Sequence, residues 1–113
     1  MKGLDICYHQ GDIDFVKVKK AGFDFIIPRD GWGIDGLDYK LVEYVKKAKA
    51  AGIKVPGVYH FIYAINDKEV IANAKKAIEN VKAAGLPKTT VIWCDLEYDT
   101  VDNARDYRGV NLS

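Results

Sequence analysis

Cysteine is scarce in this chain. Cys7 and Cys94 are the only two among 113 residues. Their spacing fits no metal-binding pattern, and they are expected to stay free thiols in a reducing compartment. Histidine is equally sparse. His9 and His60 have no companion cluster of ligands, which makes a weak metal signal. A Gly-x-Ser-x-Gly nucleophile context is missing. The glycine-rich stretch 31–36 lacks the lysine and serine of a phosphate loop and does not open directly into a helix, which excludes nucleotide binding. Charge of one sign is also missing. With 17 basic and 16 acidic residues, nothing pushes the chain generally toward nucleic acid or an anionic membrane surface. No apolar run approaches the ~20 residues of a membrane span. The opening Met1-Lys2-Gly3-Leu4-Asp5 has no apolar h-region, which predicts a product made in the cytoplasm without a visible signal peptide.

What is present is a repeat. Lys20-Ala21-Gly22, Ala50-Ala51-Gly52 and Ala83-Ala84-Gly85 each close a helical pattern and precede an apolar run. The glycines read as residues just past a helix end, where a left-handed backbone is needed. Their spacing of about thirty residues is that of one strand–helix unit. The strands read as 3–8, 23–28, 55–63 and 90–97. The helices read as 14–21, 38–51 and 66–84. Pro28 is expected to end the second strand, with 29–36 a loop. Helix 38–51 has a stripe of Leu41, Tyr44 or Val45, and Ala48. Helix 66–84 has one of Ile71, Ala74, Ile78 and Val81, opened by Asn66 and Glu69 in the manner of a capping box. The predicted fold is α/β, a parallel βαβαβαβ unit forming one domain over residues 1–113.

Ligands of such sheets bind at the carboxyl ends of the strands, and the chemically interesting residues collect there. Asp95 and Glu97 stand two apart at the end of the last strand, so they share a face with Cα atoms roughly 6–7 Å apart. Two acids aimed into one space are unfavourable for stability, since each raises the other's pKa, but they suit glycoside cleavage. One capping the following helix, or one pairing with Arg29, is the alternative. Asp5 on the first strand, Arg29 and Asp30 after the second, and Tyr59 and Tyr63 on the third converge on the same edge. Trp32 in a glycine loop is hard to place in a core and reads as a ligand contact. Aromatic faces stack on sugar rings, although core filling remains open for Phe61.

With these residues in view, the chain resembles the N-terminal half of the glycoside hydrolase family 25 lysozymes, the muramidases of bacteria and phages. The matching stretches are 3–14, 21–27, 51–53, 57–61 and Trp93-Cys94-Asp95-Leu96-Glu97, in the family's order. The resemblance implies about half of a TIM-like (β/α) barrel that cleaves the β-1,4 bond between N-acetylmuramic acid and N-acetylglucosamine in peptidoglycan, with no metal or cofactor. It implies Glu97 as general acid/base and Asp95 as the carboxylate steering the substrate's own N-acetyl group. Asp5 would be the first-strand active-site acid and Tyr59 a cleft aromatic. The chain departs from the family in having Cys7 where serine is usual and Pro28-Arg29-Asp30-Gly31-Trp32 in the second loop.

Barrels of this kind run to ~250 residues, and a half barrel leaves strand edges unpaired and its inner face wet. Two copies are therefore expected to associate through the open edges. Two functions remain: a muramidase acting on the cell wall, released in the manner of a phage or prophage enzyme, or a truncated, inactive fragment that self-associates or at most binds glycan.

Overall fold

A computed structural model describes residues 1–96 together with 100, 101 and 105. The strands are β1 (Gly3–Ile6), β2 (Phe25–Trp32), β3 (Gly36–Leu37), β4 (Gly57–Phe61) and β5 (Val91–Asp95). The helices are α1 (Phe15–Lys20), α2 (Leu41–Ala50) and α3 (Asp67–Ala83). Caps set the helix ends. The Asp14 carboxylate accepts from Lys17 N and the Asn66 side chain from Glu69 N, which satisfies first-turn donors. Gly22, Gly52 and Gly85 follow the three helices with φ of 96°, 79° and 71°, a left-handed turn that strains any residue with a Cβ.

β1, β2, β4 and β5 lie side by side in chain order and run parallel. Right-handed crossovers between successive neighbours place every helix on one face. The core confirms that placement. Ile6 and Ile26 pack with Phe15 of α1 and with Tyr44 and Ala48 of α2. Val58 packs with Leu41 and Val45 of α2 and Val81 of α3. Removing water from each such side chain stabilises the fold by roughly 1.5–3 kcal/mol. The opposite face carries Asp5, Ile27, Arg29, Tyr59, Phe61, Trp93 and Asp95 and has no layer over it among the described residues; Trp93 is 48% exposed. This is a partial unit of a TIM-like barrel, with the future barrel interior facing outward.

Two expectations are corrected. Pro28 does not end the second strand, and 29–32 is not loop. β2 continues to Trp32 because Pro28 stands opposite Ile6, the last residue of β1, where that ladder runs out and an N–H is dispensable. Beyond it, β2 turns back through 33–35 into β3, pairing Gly31 with Leu37 and Trp32 with Gly36. A bulge interrupts pairing with β4: Arg29 opposes Tyr59, but Gly31 opposes His60 and Trp32 opposes Phe61.

The second correction concerns α3. Its buried face is Asn73, Ala77, Asn80 and Val81, while Ile71 and Ile78 are about half exposed. The reason is the irregular backbone beneath. Asn73 donates to the carbonyls of Tyr63 (3.1 Å) and Glu69 (2.7 Å), and Asn80 donates to Gly36 O at 3.0 Å. Buried backbone groups that lack a ladder partner need a side-chain one, so amides displace isoleucines. Asn80→Ala is expected to cost about 1–3 kcal/mol. Ile78→Ala is expected to cost less, near the ~0.5 kcal/mol of surface changes. Urea unfolding of both variants checks the order.

Candidate active site

Two cavities open at the carboxyl ends of the strands. One, of about 490 Å³, is walled by Arg29, Trp32, Phe61 and Tyr63 with Tyr8 and His9. The other, of about 470 Å³, is walled by Asp5, Cys7, Ile27 and Trp93. Tyr59 and Asp95 line both. The fold therefore gathers Asp5, Asp95, Tyr59, Tyr63, Trp32 and Arg29 from four strands and the segment after β4 into one continuous cleft. Glu97 lies outside the described residues.

Asp5 and Asp95 come from the two outer strands, and Tyr59 stands between them on β4. Its phenol is pushed well above the usual tyrosine range, first by burial and then by the Cys7 sulfur and the Asp5 carboxylate, with Arg29 opposing. Tyr59 therefore remains a protonated hydrogen-bond donor at neutral pH. Trp93 lies across Gly57, where an added Cβ would sit 2.4 Å from the indole ring. That missing side chain lets the ring lie flat along the acid end of the cleft.

Arg29 is rigidly held. Its Nε donates to Asp38 Oδ2 at 3.2 Å, and its guanidinium carbon is 4.9 Å from the centroids of both the Tyr8 and Trp32 rings. Cations in this position are attracted by the ring faces. Asp38 is buried and also accepts from Tyr8 N (3.0 Å) and Lys40 N (2.9 Å). It thereby ties the single turn Tyr8–Gln10 to the start of α2. Sequence reading places Asp38 merely at the start of the second helix and misses this role. An aspartate between a glycine-rich turn and a helix was the available signal. His9, which the sequence offers no metal or nucleophile partner, lines the cavity and packs on Tyr8 at 4.2 Å between centroids. No cluster of three His, Cys, Asp or Glu suited to a metal occurs among the described residues.

Asp30 is a correction. It does not reach the cleft. It is fully buried on the helix side, because alternation along β2 turns it away from Arg29. Its Oδ2 is 2.8 Å from His60 Nδ1 and accepts from Asn80 Nδ2 at 3.0 Å. His60 Nε2 is 2.8 Å from the Gly33 carbonyl, which can only accept. Nε2 therefore carries a proton, and a second proton must lie between Nδ1 and Asp30. Burial pulls the imidazole's pKa down, but the Asp30 hydrogen bond and charge, then the Gly33 carbonyl, more than offset it, so His60 titrates above its usual value.

The chain matches the family model described as glycosyl hydrolases family 25 over residues 4–111. It is 38% identical over 96 residues to "Lysozyme-like protein 5" of Caenorhabditis elegans, covering 84% of this chain and 44% of that protein. Among solved structures, the modular autolysin LytC of Streptococcus pneumoniae, in complex with a synthetic peptidoglycan ligand, superimposes with a TM-score of 0.74 at 30% identity. That alignment covers 84% of this chain and 22% of the autolysin. A family 25 glycosyl hydrolase of Bacillus anthracis gives 0.73 at 26% identity, covering 94% and 46%. The chain thus spans less than half the length of the curated relatives it matches.

A raised folded pKa for His60 means its stabilisation is fully present below the unfolded value of 6.5 and fades as pH rises through the folded value. Wild-type stability is therefore expected to fall as pH rises above 6.5. A His60→Gln variant is expected to be less stable at neutral pH and flat over that interval. Urea midpoints measured against pH check both.

Proposed function

Because the chain belongs to glycosyl hydrolase family 25, we propose that its cleft holds a peptidoglycan glycan strand and hydrolyses the β-1,4 bond between N-acetylmuramic acid and N-acetylglucosamine. The observation that carries this reading is the meeting of Asp5 from β1 and Asp95 from β5 in one cavity beside the protonated Tyr59. In this reading the remaining acid is Glu97.

In this reaction Glu97 donates its proton to the glycosidic oxygen as the bond to the anomeric carbon breaks. The substrate's own acetamide oxygen attacks that carbon. Asp95 accepts the acetamide N–H, which orients the group and steadies the charge that develops on it. Water then attacks the anomeric carbon, the bond from the acetamide oxygen to that carbon breaks, and Glu97 takes a proton from the water, so the enzyme ends as it began. Tyr59 donates to a ring substituent or the acetamide. Trp93 and Trp32 offer flat apolar faces to the sugars. The place of action is the cell wall.

A second reading is a domain that binds glycan or associates with itself without cleavage. The exposure of Trp93 (48%), Val91 (47%) and Leu96 (64%) favours it. β1 and β5, the outer strands of the sheet among the described residues, run in the same direction, so a second copy related by a two-fold axis along the strands would pair β5 with β1 in parallel on both sides. Light scattering at micromolar concentration is expected to give twice the monomer mass. A monomer would remove self-association and leave only glycan binding.

The enzymatic reading predicts clearing of a peptidoglycan suspension by the full chain. Glu97→Gln is expected to lower the rate by about 10²–10⁴-fold, the range for loss of a general acid. Equal clearing by both proteins would remove Glu97 from its role, and no clearing by the parent would leave the non-catalytic reading.

A further inference from the structure

We propose that Arg29 is the carboxylate-reading group of the cleft, selecting the sugar whose 3-O substituent bears an acid over the sugar that bears none. The proposal rests on the glycan-binding reading above and adds the chemical feature that orients the strand.

The geometry is unusual for a structural arginine. The side chain is only 12% exposed, yet it lines a cavity of about 490 Å³. A guanidinium has five N–H donors. Nε is taken by Asp38, while Nη2 is buried with no hydrogen-bond partner among the described residues. A buried donor left unmade costs about 1–3 kcal/mol, more for a charged group. Asp38 does not saturate the cation, because it divides its oxygens among Arg29 and two backbone amides. Tyr8 and Trp32 both pack against the guanidinium, their ring centroids 6.2 Å apart. A guanidinium that keeps an unused donor beside aromatic rings suits a carboxylate.

The charge around the site limits what can bind. Asp38 already offsets part of the arginine's charge, and Asp95 lines the same cavity. A dianion such as a phosphate monoester would meet more repulsion there than a single carboxylate. In the peptidoglycan strand, sugars alternate between one with a hydroxyl at position 3 and one with a lactyl ether there. The acid is the lactyl carboxyl itself or, where that is amide-linked, an acid of the attached peptide. Seating the muramyl unit at Asp95 with its 3-O arm toward Arg29 fixes which of the two alternating glycosidic bonds reaches the acids.

Fluorescence of Trp32 and Trp93 gives the test, with the full chain titrated by N-acetylglucosamine, N-acetylmuramic acid and a muramyl dipeptide whose lactyl carboxyl is amidated. A charged hydrogen-bonded pair at about 1.5–3 kcal/mol corresponds to roughly ten- to hundredfold in affinity. Wild type is expected to prefer an acid-bearing sugar over N-acetylglucosamine by about that factor. Tighter binding of N-acetylmuramic acid than of the dipeptide assigns the lactyl carboxyl, and the reverse assigns the peptide acid. Arg29→Gln is expected to lose the preference while keeping its affinity for N-acetylglucosamine. Arg29→Lys, which retains the charge beside Asp38, is expected to recover part of it. Equal wild-type affinity for all three sugars, no binding of either acidic sugar, or a parallel loss for every sugar in both variants would overturn the proposal. Cleavage is not measured, so a chain that binds selectively but clears no peptidoglycan refutes only the enzymatic role. A chain that clears it without selectivity refutes only this one.

Discussion

A buried imidazole–carboxylate pair ties together most of what shapes the cleft. His60 sits on β4, Asp30 on β2, and Asn80 reaches them from α3. His60 also grips the Gly33 carbonyl, and Asn80 grips that of Gly36, so the turn into β3 hangs from the same cluster. Taking two ionisable groups out of water is costly, and deleting one partner strands the other at about 3–5 kcal/mol. A buried polar cluster with several fixed partners tolerates few arrangements of the backbone around it. Here it holds β2 and β4 in the one register that sends Arg29, Trp32, Tyr59 and Phe61 to the opposite face.

The repeat of three glycine-closed helices was legible because its physics is local. Gly22, Gly52 and Gly85 adopt the left-handed turn that no neighbouring contact is needed to explain. Leu41, Val45 and Ala48 of α2 could likewise be read from helical spacing, since they meet a regular, apolar strand pair. The stripe of α3 could not, because Asn73 and Asn80 answer to orphan carbonyls far away in sequence. Asp30 failed for the same reason. Its neighbours in the chain are cleft residues, and only the pairing partner on β4 shows that it faces inward. Asp38 looked like a helix-start residue and is one, through Lys40 N, but its bonds to Tyr8 and Arg29 span 30 and 9 residues.

The cleft divides its chemistry along its length. One end is acidic and carries Asp5 beside Trp93; the other is cationic and aromatic around Arg29. Tyr59 and Asp95 stand at the junction. A polymer of alternating sugars differs from one unit to the next mainly in its substituents, so a cleft of unlike ends can distinguish the two directions of such a strand. A uniformly acidic trough would bind either direction alike.

The bulge between Arg29 and Gly31 changes how β2 counts. In an uninterrupted strand, residues 29 and 32 would point to opposite sides. The extra residue resets the parity, so Arg29 and Trp32 both face the cleft while Gly31 faces α3, where a Cβ would sit 2.7 Å from the Asn80 amide and 1.9 Å from the Gly36 carbonyl. The strand is thus written in two frames joined at one position. Loss or gain of a single residue there would exchange what the cleft and the core each see, so this stretch of the chain is fixed in length as well as at Asp30 and Gly31.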